Sequence, residues 1–288
     1  MKIAFIGLGA MGGPIAANLQ RAGHELQVYD LRRVDGFPGF KASAADAIRG
    51  CELLFTSLPG PAEVENVSPA QDIVWFDLST NSPSVVRRIQ AKHARFLDAP
   101  VSGGPRGAQS GKLAIWVGGE AALYKKYEPI LKVIGDQPLY VGPIGAGTVA
   151  KLAHNCASFS IQAALAEIFT LGVKAGVEPA ALFKALRQGA SGRKRTFDRL
   201  AEFFLPGVYD PPAFSLRLAH KDVSLAMALA RESGVPMRLA EAAFEELSEG
   251  MRRGWADRDS RVTMTLQEER AGVSARVSAE ALKAALVD

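Results

Sequence analysis

A glycine turn near the start of the chain constrains its fold more than any other feature. Gly7-Leu8-Gly9-Ala10-Met11-Gly12 follows an apolar run, Ile3-Ala4-Phe5-Ile6. It precedes a helical pattern through Met11, Ile15, Ala16, Leu19 and Ala22, which Gly23 closes. A strand that turns on G-x-G-x-x-G into a helix is the opening of a βαβ unit built around a dinucleotide pyrophosphate. The first glycine permits the tight turn, the second lets backbone approach phosphate, and the third lets helix and strand pack closely. The helix start adds N–H groups and partial positive charge.

The alternation continues with apolar runs at Leu26–Tyr29, Glu52–Ser57, Ile73–Phe76, Arg95–Leu97 and Ala114–Val117, and a helix at Ala44–Arg49. Strands alternating with helices predict a doubly wound α/β domain, placed at residues 1–148. After Gly147 the pattern changes. One long helix, Val149–Ala175, joins the halves. Pro179 then sits at a helix start and Gly189 follows its end. A helix over Lys221–Ser233 is stopped by Gly234 and Pro236, and another over Met237–Arg253 by Gly254. Asp259 is a predicted N-cap for Val262–Arg270. Residues 149–288 are therefore expected to be all-α.

Bulk properties exclude several classes. The 288 residues are 48% hydrophobic and 22% charged, the balance of a soluble globular protein. The net charge of +4 is spread over short clusters (Arg32-Arg33, Arg193-Lys194-Arg195, Arg252-Arg253), without the concentrated basic face of a nucleic-acid binder. The longest apolar stretch, Cys156 to Val173, is interrupted by Gln162 and Glu167 and predicts a buried helix, not a membrane span. Two isolated cysteines, Cys51 and Cys156, give neither a disulfide framework nor metal-ligand spacing. With the chain opening on a strand, no signal peptide and a cytoplasmic location are expected.

Asp30 ends the second strand about 20 residues past the glycines, where a carboxylate accepts hydrogen bonds from the adenosine ribose and repels a 2′-phosphate. That favours NAD; Arg32 or Arg33, which could clamp a phosphate, keeps NADP open. Asp98 to Gly104 follows a strand at the carboxyl edge of the sheet, where Ser102 and adjacent N–H groups could cradle a carboxylate or simply form a glycine turn. Lys151 and Asn155 share one face of the long helix. Hydride transfer at an alcohol carbon needs a group to take or give the hydroxyl proton, and a lysine with a lowered pKa can do so. Taken alone, a lysine there is more often a solvated charge. Lys221-Asp222, opening a later helix, is similarly ambiguous, and His154 and His220 read as structural.

Together these residues resemble the β-hydroxyacid dehydrogenases, the family of 3-hydroxyisobutyrate dehydrogenase and tartronate semialdehyde reductase. The resemblance covers essentially the whole chain. It is carried by Gly7 to Gly12 running on to Asn18-Leu19, Leu58-Pro59, Asp77-Leu78-Ser79-Thr80, Asp98 to Gly104, Gly145 to Asn155, and Lys221-Asp222. It implies a Rossmann-like domain plus an all-helical domain, with the active site between them. It implies Lys151 as the catalytic lysine, Ser102, Gly103 and Gly104 as the substrate-carboxylate loop, and Asn155 as the substrate-orienting amide. Leu58, Pro59, Thr80 and Lys221 are implied cofactor contacts beside Gly7, Leu8, Gly9, Ala10, Met11, Gly12 and Asp30, with Asp222 at the substrate. No metal is implied. The expected reaction is NAD(P)-dependent oxidation of a small 3-hydroxy acid, or reduction of its semialdehyde, by a homodimer or homotetramer. The rivals are an imine reductase, which usually lacks this lysine, and a dinucleotide-sensing protein without turnover. Arg193-Lys194-Arg195 suits either an anionic substrate tail or a solvated loop.

Overall fold

Apolar residues stand on both faces of every central strand, the pattern of a sheet covered on two sides. In the computed structural model, which describes residues 1–288 except 68, 71, 175, 190–197, 233–236 and 287–288, that sheet has eight strands. β1 (Lys2–Ile6), β2 (Glu25–Tyr29), β3 (Leu53–Thr56), β4 (Val74–Asp77) and β5 (Phe96–Asp98) run parallel in the order β2-β1-β3-β4-β5. β7 (Ala114–Gly118) joins β5 antiparallel, and β6 (Val101–Ser102) and β8 (Gln137–Gly142) both pair with β7.

Successive side chains of a strand point to opposite faces. Ile3 and Phe5, with Phe55 and Phe76, pack beneath α1 (Gly12–Arg21), α5 (Gly104–Ser110) and α6 (Ala121–Ile134). Ala4 and Ile6, with Leu54 and Trp75, face α2 (Ala44–Ile48), α3 (Pro61–Glu65) and α4 (Pro83–Lys92). Neighbouring rings on the first face lie 6.0 Å (Phe5–Phe55) and 5.8 Å (Phe55–Phe76) apart. Each buried ring of this kind contributes roughly 1.5–3 kcal/mol through the area it removes from water.

Several elements go beyond the sequence pattern. α3 and α4 begin on Pro61 and Pro83, and α6 carries Pro129 inside it, so proline hides helices that it in fact starts or sits within. β6 is only two residues long, and β8 contains Pro138 and ends on Gly142.

The chain divides into two compact units, Met1–His154 and Asn155–Asp288, and α7 (Ala146–Lys174) is continuous through both. The second unit holds α8 (Pro179–Gln188), α9 (Asp198–Glu202), α10 (Leu216–Glu232), α11 (Arg238–Arg252), a 3₁₀ helix at Ser260–Met264, α12 (Thr265–Ala271) and α13 (Ala279–Leu286). Its core gathers Leu165, Phe169, Phe183, Phe204 and Leu282. The expected stop signals Gly234 and Pro236, and the Arg193-Lys194-Arg195 cluster, lie outside the described residues.

Two expectations are corrected here. α10 starts at Leu216, so Lys221 and Asp222 sit inside the helix rather than opening it. The earlier start is possible because the Leu216 and Arg217 N–H groups donate to the carbonyls of Arg258 (2.8 Å) and Ala256 (3.0 Å). Asp259 caps the 3₁₀ helix, not an α-helix, accepting from Arg261 N at 3.0 Å and also from Ala213 N at 3.0 Å. Among the described residues no helix is long and apolar enough to cross a membrane.

Candidate active site

The sheet register brings the candidate loops of the first unit to one edge. Ile6 pairs with Tyr29 and Thr56, Thr56 with Asp77, and Asp77 with Asp98, so the strands end level. The glycine turn, Asp30, Ser57–Gly60, Leu78–Thr80 and Ala99–Gly104 all follow those ends, at the carboxyl edge where ligands of α/β sheets bind.

At the glycine turn each glycine has a distinct reason. Gly7 has φ +93°, and a Cβ there would stand 2.1 Å from the Ser57 carbonyl oxygen. A Cβ on Gly12 would stand 1.9 Å from the Gly7 carbonyl oxygen, so any side chain pushes α1 off β1. Around Gly9 nothing lies within 4 Å of an added Cβ, and Gly9 and Ala10 are exposed. That opening at a helix start suits a pyrophosphate. Asp30 closes the turn: its Oδ2 accepts from Leu8 N at 2.6 Å and its Oδ1 from Arg32 N at 3.0 Å. A carboxylate accepts up to about four hydrogen bonds, which leaves capacity for ribose hydroxyls. Leu8, expected among the cofactor contacts, has its side chain in the core and its N–H on Asp30, so it shapes the turn from within. Arg33 lies over the Phe40 ring at 5.9 Å.

These contacts predict a contrast. Gly9→Ala is expected to keep the stability of the parent while weakening dinucleotide binding about tenfold, because its methyl enters the opening alone. Gly12→Ala is expected to lose about 3 kcal/mol or more of stability through overpacking. Urea denaturation and NADH fluorescence titration of both variants check this; equal stability losses count against it.

Asp77, fully buried, joins the next two loops. Its Oδ1 accepts from Thr56 Oγ1 (2.8 Å) and Ser79 N (3.1 Å), and its Oδ2 from Asn81 Nδ2 (2.9 Å). Ser79 Oγ in turn accepts from Leu58 N at 2.9 Å. Exposed Pro59 and half-buried Thr80 therefore stand on loops tied to one carboxylate. Burial pushes that carboxyl above its ordinary range, and the hydrogen bonds from Ser79, Asn81 and Thr56 pull it back.

Asp98 does the same for the lysine-bearing helix. It is 1% exposed and accepts from Gly145 N (2.7 Å) and Thr148 N (2.5 Å), the open amides at the start of α7. Burial raises its pKa against the pull of those two amides. A carboxylate at a helix N-terminus also meets the positive end of the dipole. Gly147 lets this start lie flush on the sheet, since a Cβ there would stand 2.2 Å from the Trp116 carbonyl oxygen. Lys151, half-buried, follows immediately after this clamped turn.

On the same helix, His154 Nε2 lies 3.3 Å from Ser102 Oγ, and its ring packs on Trp116 with centroids 5.1 Å apart. His154, expected to be structural and without an obvious partner, thus has one in the candidate carboxylate loop. Gly103 (φ +137°) and Gly104 (φ +62°) follow Ser102 and are exposed. In the second unit, Asn155 Nδ2 donates to Asp222 Oδ2, and Lys221 Nζ lies 2.9 Å from Asp222 Oδ1. Asp222, expected at the substrate, is 2% exposed, with its carboxylate on these two neighbours. His220 bonds Ser248 at 3.0 Å and packs on Phe244, which suits its structural reading.

Sequence reasoning assigned no role to Asp77 or Asp98. The available signal was an acid ending an apolar run, Val74-Trp75-Phe76 or Phe96-Leu97, since buried charge requires partners. No group of three or more His, Cys, Asp or Glu among the described residues is placed to hold a metal.

Both parts of the chain match known family models. Residues 2–142 match the family model described as the NAD binding domain of 6-phosphogluconate dehydrogenase. Residues 145–267 match that described as NAD-binding of NADP-dependent 3-hydroxyisobutyrate dehydrogenase. 2-(Hydroxymethyl)glutarate dehydrogenase of Eubacterium barkeri is 33% identical over 298 residues, covering 95% of this chain and 97% of the relative. The chain belongs to the β-hydroxyacid dehydrogenase family. A solved 3-hydroxyisobutyrate dehydrogenase of Mycobacterium tuberculosis, described with L-serine, superposes with a TM-score of 0.81 at 28% identity, covering 92% of this chain and 98% of that one. An imine reductase from Pseudomonas sp. is more distant, with a TM-score of 0.58 at 22% identity over 92% of this chain and 98% of that one, and shares the fold. Members of the family are oxidoreductases with NAD(P)-binding domains, and this chain carries both matching segments.

Proposed function

We propose that the chain is an NAD-preferring dehydrogenase that oxidises the hydroxyl of a small 3-hydroxy acid, or reduces the matching semialdehyde. The observation that carries this reading is the 3.3 Å approach of Ser102 to His154, one helical turn from Lys151. It brings the carboxylate-binding loop and the lysine-bearing helix together within one unit.

In this reading Gly7, Gly9, Ala10, Met11 and Gly12 hold the pyrophosphate, Asp30 the adenosine ribose, and Leu58, Pro59, Thr80 and Lys221 further parts of the dinucleotide. The nicotinamide, when bound, supplies the acceptor or donor of hydride. Ser102, Gly103 and Gly104 fix the substrate carboxylate. Lys151 takes the hydroxyl proton in oxidation and returns it in reduction, as a positioned amine can. Asn155 orients the substrate, and Asp222 positions Asn155 and Lys221. Residues 1–148 then form the dinucleotide domain and 149–288 the helical one, in a cytoplasmic homodimer or homotetramer. A second anionic group on the substrate is favoured by the glutarate named for the Eubacterium relative.

A substrate panel tests the reading: 3-hydroxyisobutyrate, L-serine, D-glycerate, 2-(hydroxymethyl)glutarate and a sulfonated analogue, each with NAD and NADP. Turnover is expected for a free carboxylate and not for its methyl ester or for cyclic imines. kcat/KM is expected to be about tenfold or more higher with NAD, the worth of one well-placed charge contact. A strong NADP preference sinks the Asp30 assignment, and dinucleotide binding without any turnover returns the sensor reading.

A further inference from the structure

Ser102 can serve a carboxylate only if its hydroxyl proton points at it. A hydroxyl has one proton to give, and an ionised carboxylate accepts only. The partner on the other side of Ser102 therefore decides its usefulness. We propose that His154 is a positioning residue that donates from Nε2 to Ser102 Oγ and so directs the Ser102 proton to the substrate carboxylate. The proposal rests on the carboxylate role given to Ser102 above.

The geometry supplies both ends of this relay. Ser102 lies on β6, paired with Ala114 of β7, which fixes its backbone. Trp116, two residues along β7 and so on the same face of that strand, carries the His154 ring at 5.1 Å with the planes tilted by 49°. His154 stands three residues after Lys151, on the same face of α7. The ring is thus held between an aromatic surface and a hydroxyl, with Nε2 on Oγ at 3.3 Å.

Two protonation patterns exist for that contact. With the proton on Nδ1 only, Nε2 accepts, the serine gives its proton to the ring, and an incoming carboxylate meets oxygen lone pairs. With a proton on Nε2, the ring donates and the serine donates onward. The resulting chain, Nε2–H to Oγ–H to carboxylate oxygen, polarises in one direction, so each bond strengthens the next. An imidazolium gives the same direction with added positive charge.

Long-range proton–nitrogen NMR of the full chain reads this directly, because it separates the tautomers of each ring. The chain has only four histidines, so His154 is assigned by the signal that His154→Phe removes. Before substrate is added, the expected state is a proton on Nε2, as the neutral tautomer or the imidazolium. A neutral Nδ1–H tautomer overturns the proposal. Kinetics supply the second reading on the best 3-hydroxy acid of the panel. His154→Phe keeps a ring on Trp116 and is expected to raise KM about tenfold while kcat changes less than about threefold, the loss of one hydrogen bond to a charged ligand. His154→Gln, whose amide can donate, is expected to recover most of that loss. Ser102→Ala with His154→Phe is expected to be no worse than Ser102→Ala alone, since His154 acts through Ser102. Additive losses, or a kcat fall at unchanged KM, overturn the proposal. If the parent chain turns over no 3-hydroxy acid, the proposed function fails and takes the carboxylate step with it; the tautomer still decides the hydrogen bond.

Discussion

Alanine at Lys151 is expected to lower kcat about 10³-fold while the dissociation constant for NADH moves by less than about twofold. Loss of the proton acceptor touches the reaction step and leaves the glycine turn intact. Because the missing interaction belongs to the transition state, kcat and kcat/KM should fall together. Lys151→Arg sharpens the test. Its guanidinium keeps the positive charge but does not give up its proton near neutral pH. If Lys151 acts as the base, arginine is nearly as damaging as alanine; if it supplies only charge, arginine recovers much of the rate. Steady-state kinetics and fluorescence titration separate the outcomes. Retained turnover in the alanine variant, or equal loss of turnover and NADH binding, would falsify the assignment.

The second large effect is expected at Asp98. Asp98→Ala orphans the Gly145 and Thr148 amides at the start of α7. Each buried unpaired donor costs about 1–3 kcal/mol, so a loss of about 3 kcal/mol or more in urea denaturation is expected. The same change loosens the turn immediately before Lys151, and kcat is expected to fall about tenfold or more, since misplacement of a catalytic group by even about 1 Å is costly. Asp98→Asn, with one acceptor oxygen left, should lie between parent and alanine variant in both measurements. Parent-like stability and kcat in the alanine variant would show that α7 holds its start without the carboxylate.

The parts of this molecule legible in the sequence are those set by neighbours along the chain. Gly7, Gly9 and Gly12 sit within one turn, and their spacing carries the geometry. Asp30 is readable because a strand of known length delivers it to a known place. The carboxylate clamps are different. Asp98 finds its amides 47 and 50 residues away, and His154 finds Ser102 at a separation of 52. No local pattern encodes such pairs. The start of α10 is hidden for the same reason: its first amides are satisfied by a loop some forty residues downstream, around Ala256 and Arg258. The motif marks the position of Asp222, but its burial and its bonds to Asn155 and Lys221 belong to the fold and have no local signal.

Three strands of the sheet, β2, β4 and β5, are followed by or end in an acid at the edge that must receive a diphosphate. Asp30, Asp77 and Asp98 turn their carboxylates inward, onto the backbone N–H groups of Leu8, Ser79, Gly145 and Thr148. The negative charge is thereby absorbed by amide dipoles behind the loops instead of standing against the anion. Since these three carboxylates anchor backbone, that part of the anchoring does not depend on the exposed side chains nearby. Exposed positions such as Arg106 and Gln109 on α5 can change to suit a new substrate while the buried Gly107 and Ala108 keep that helix on the scaffold.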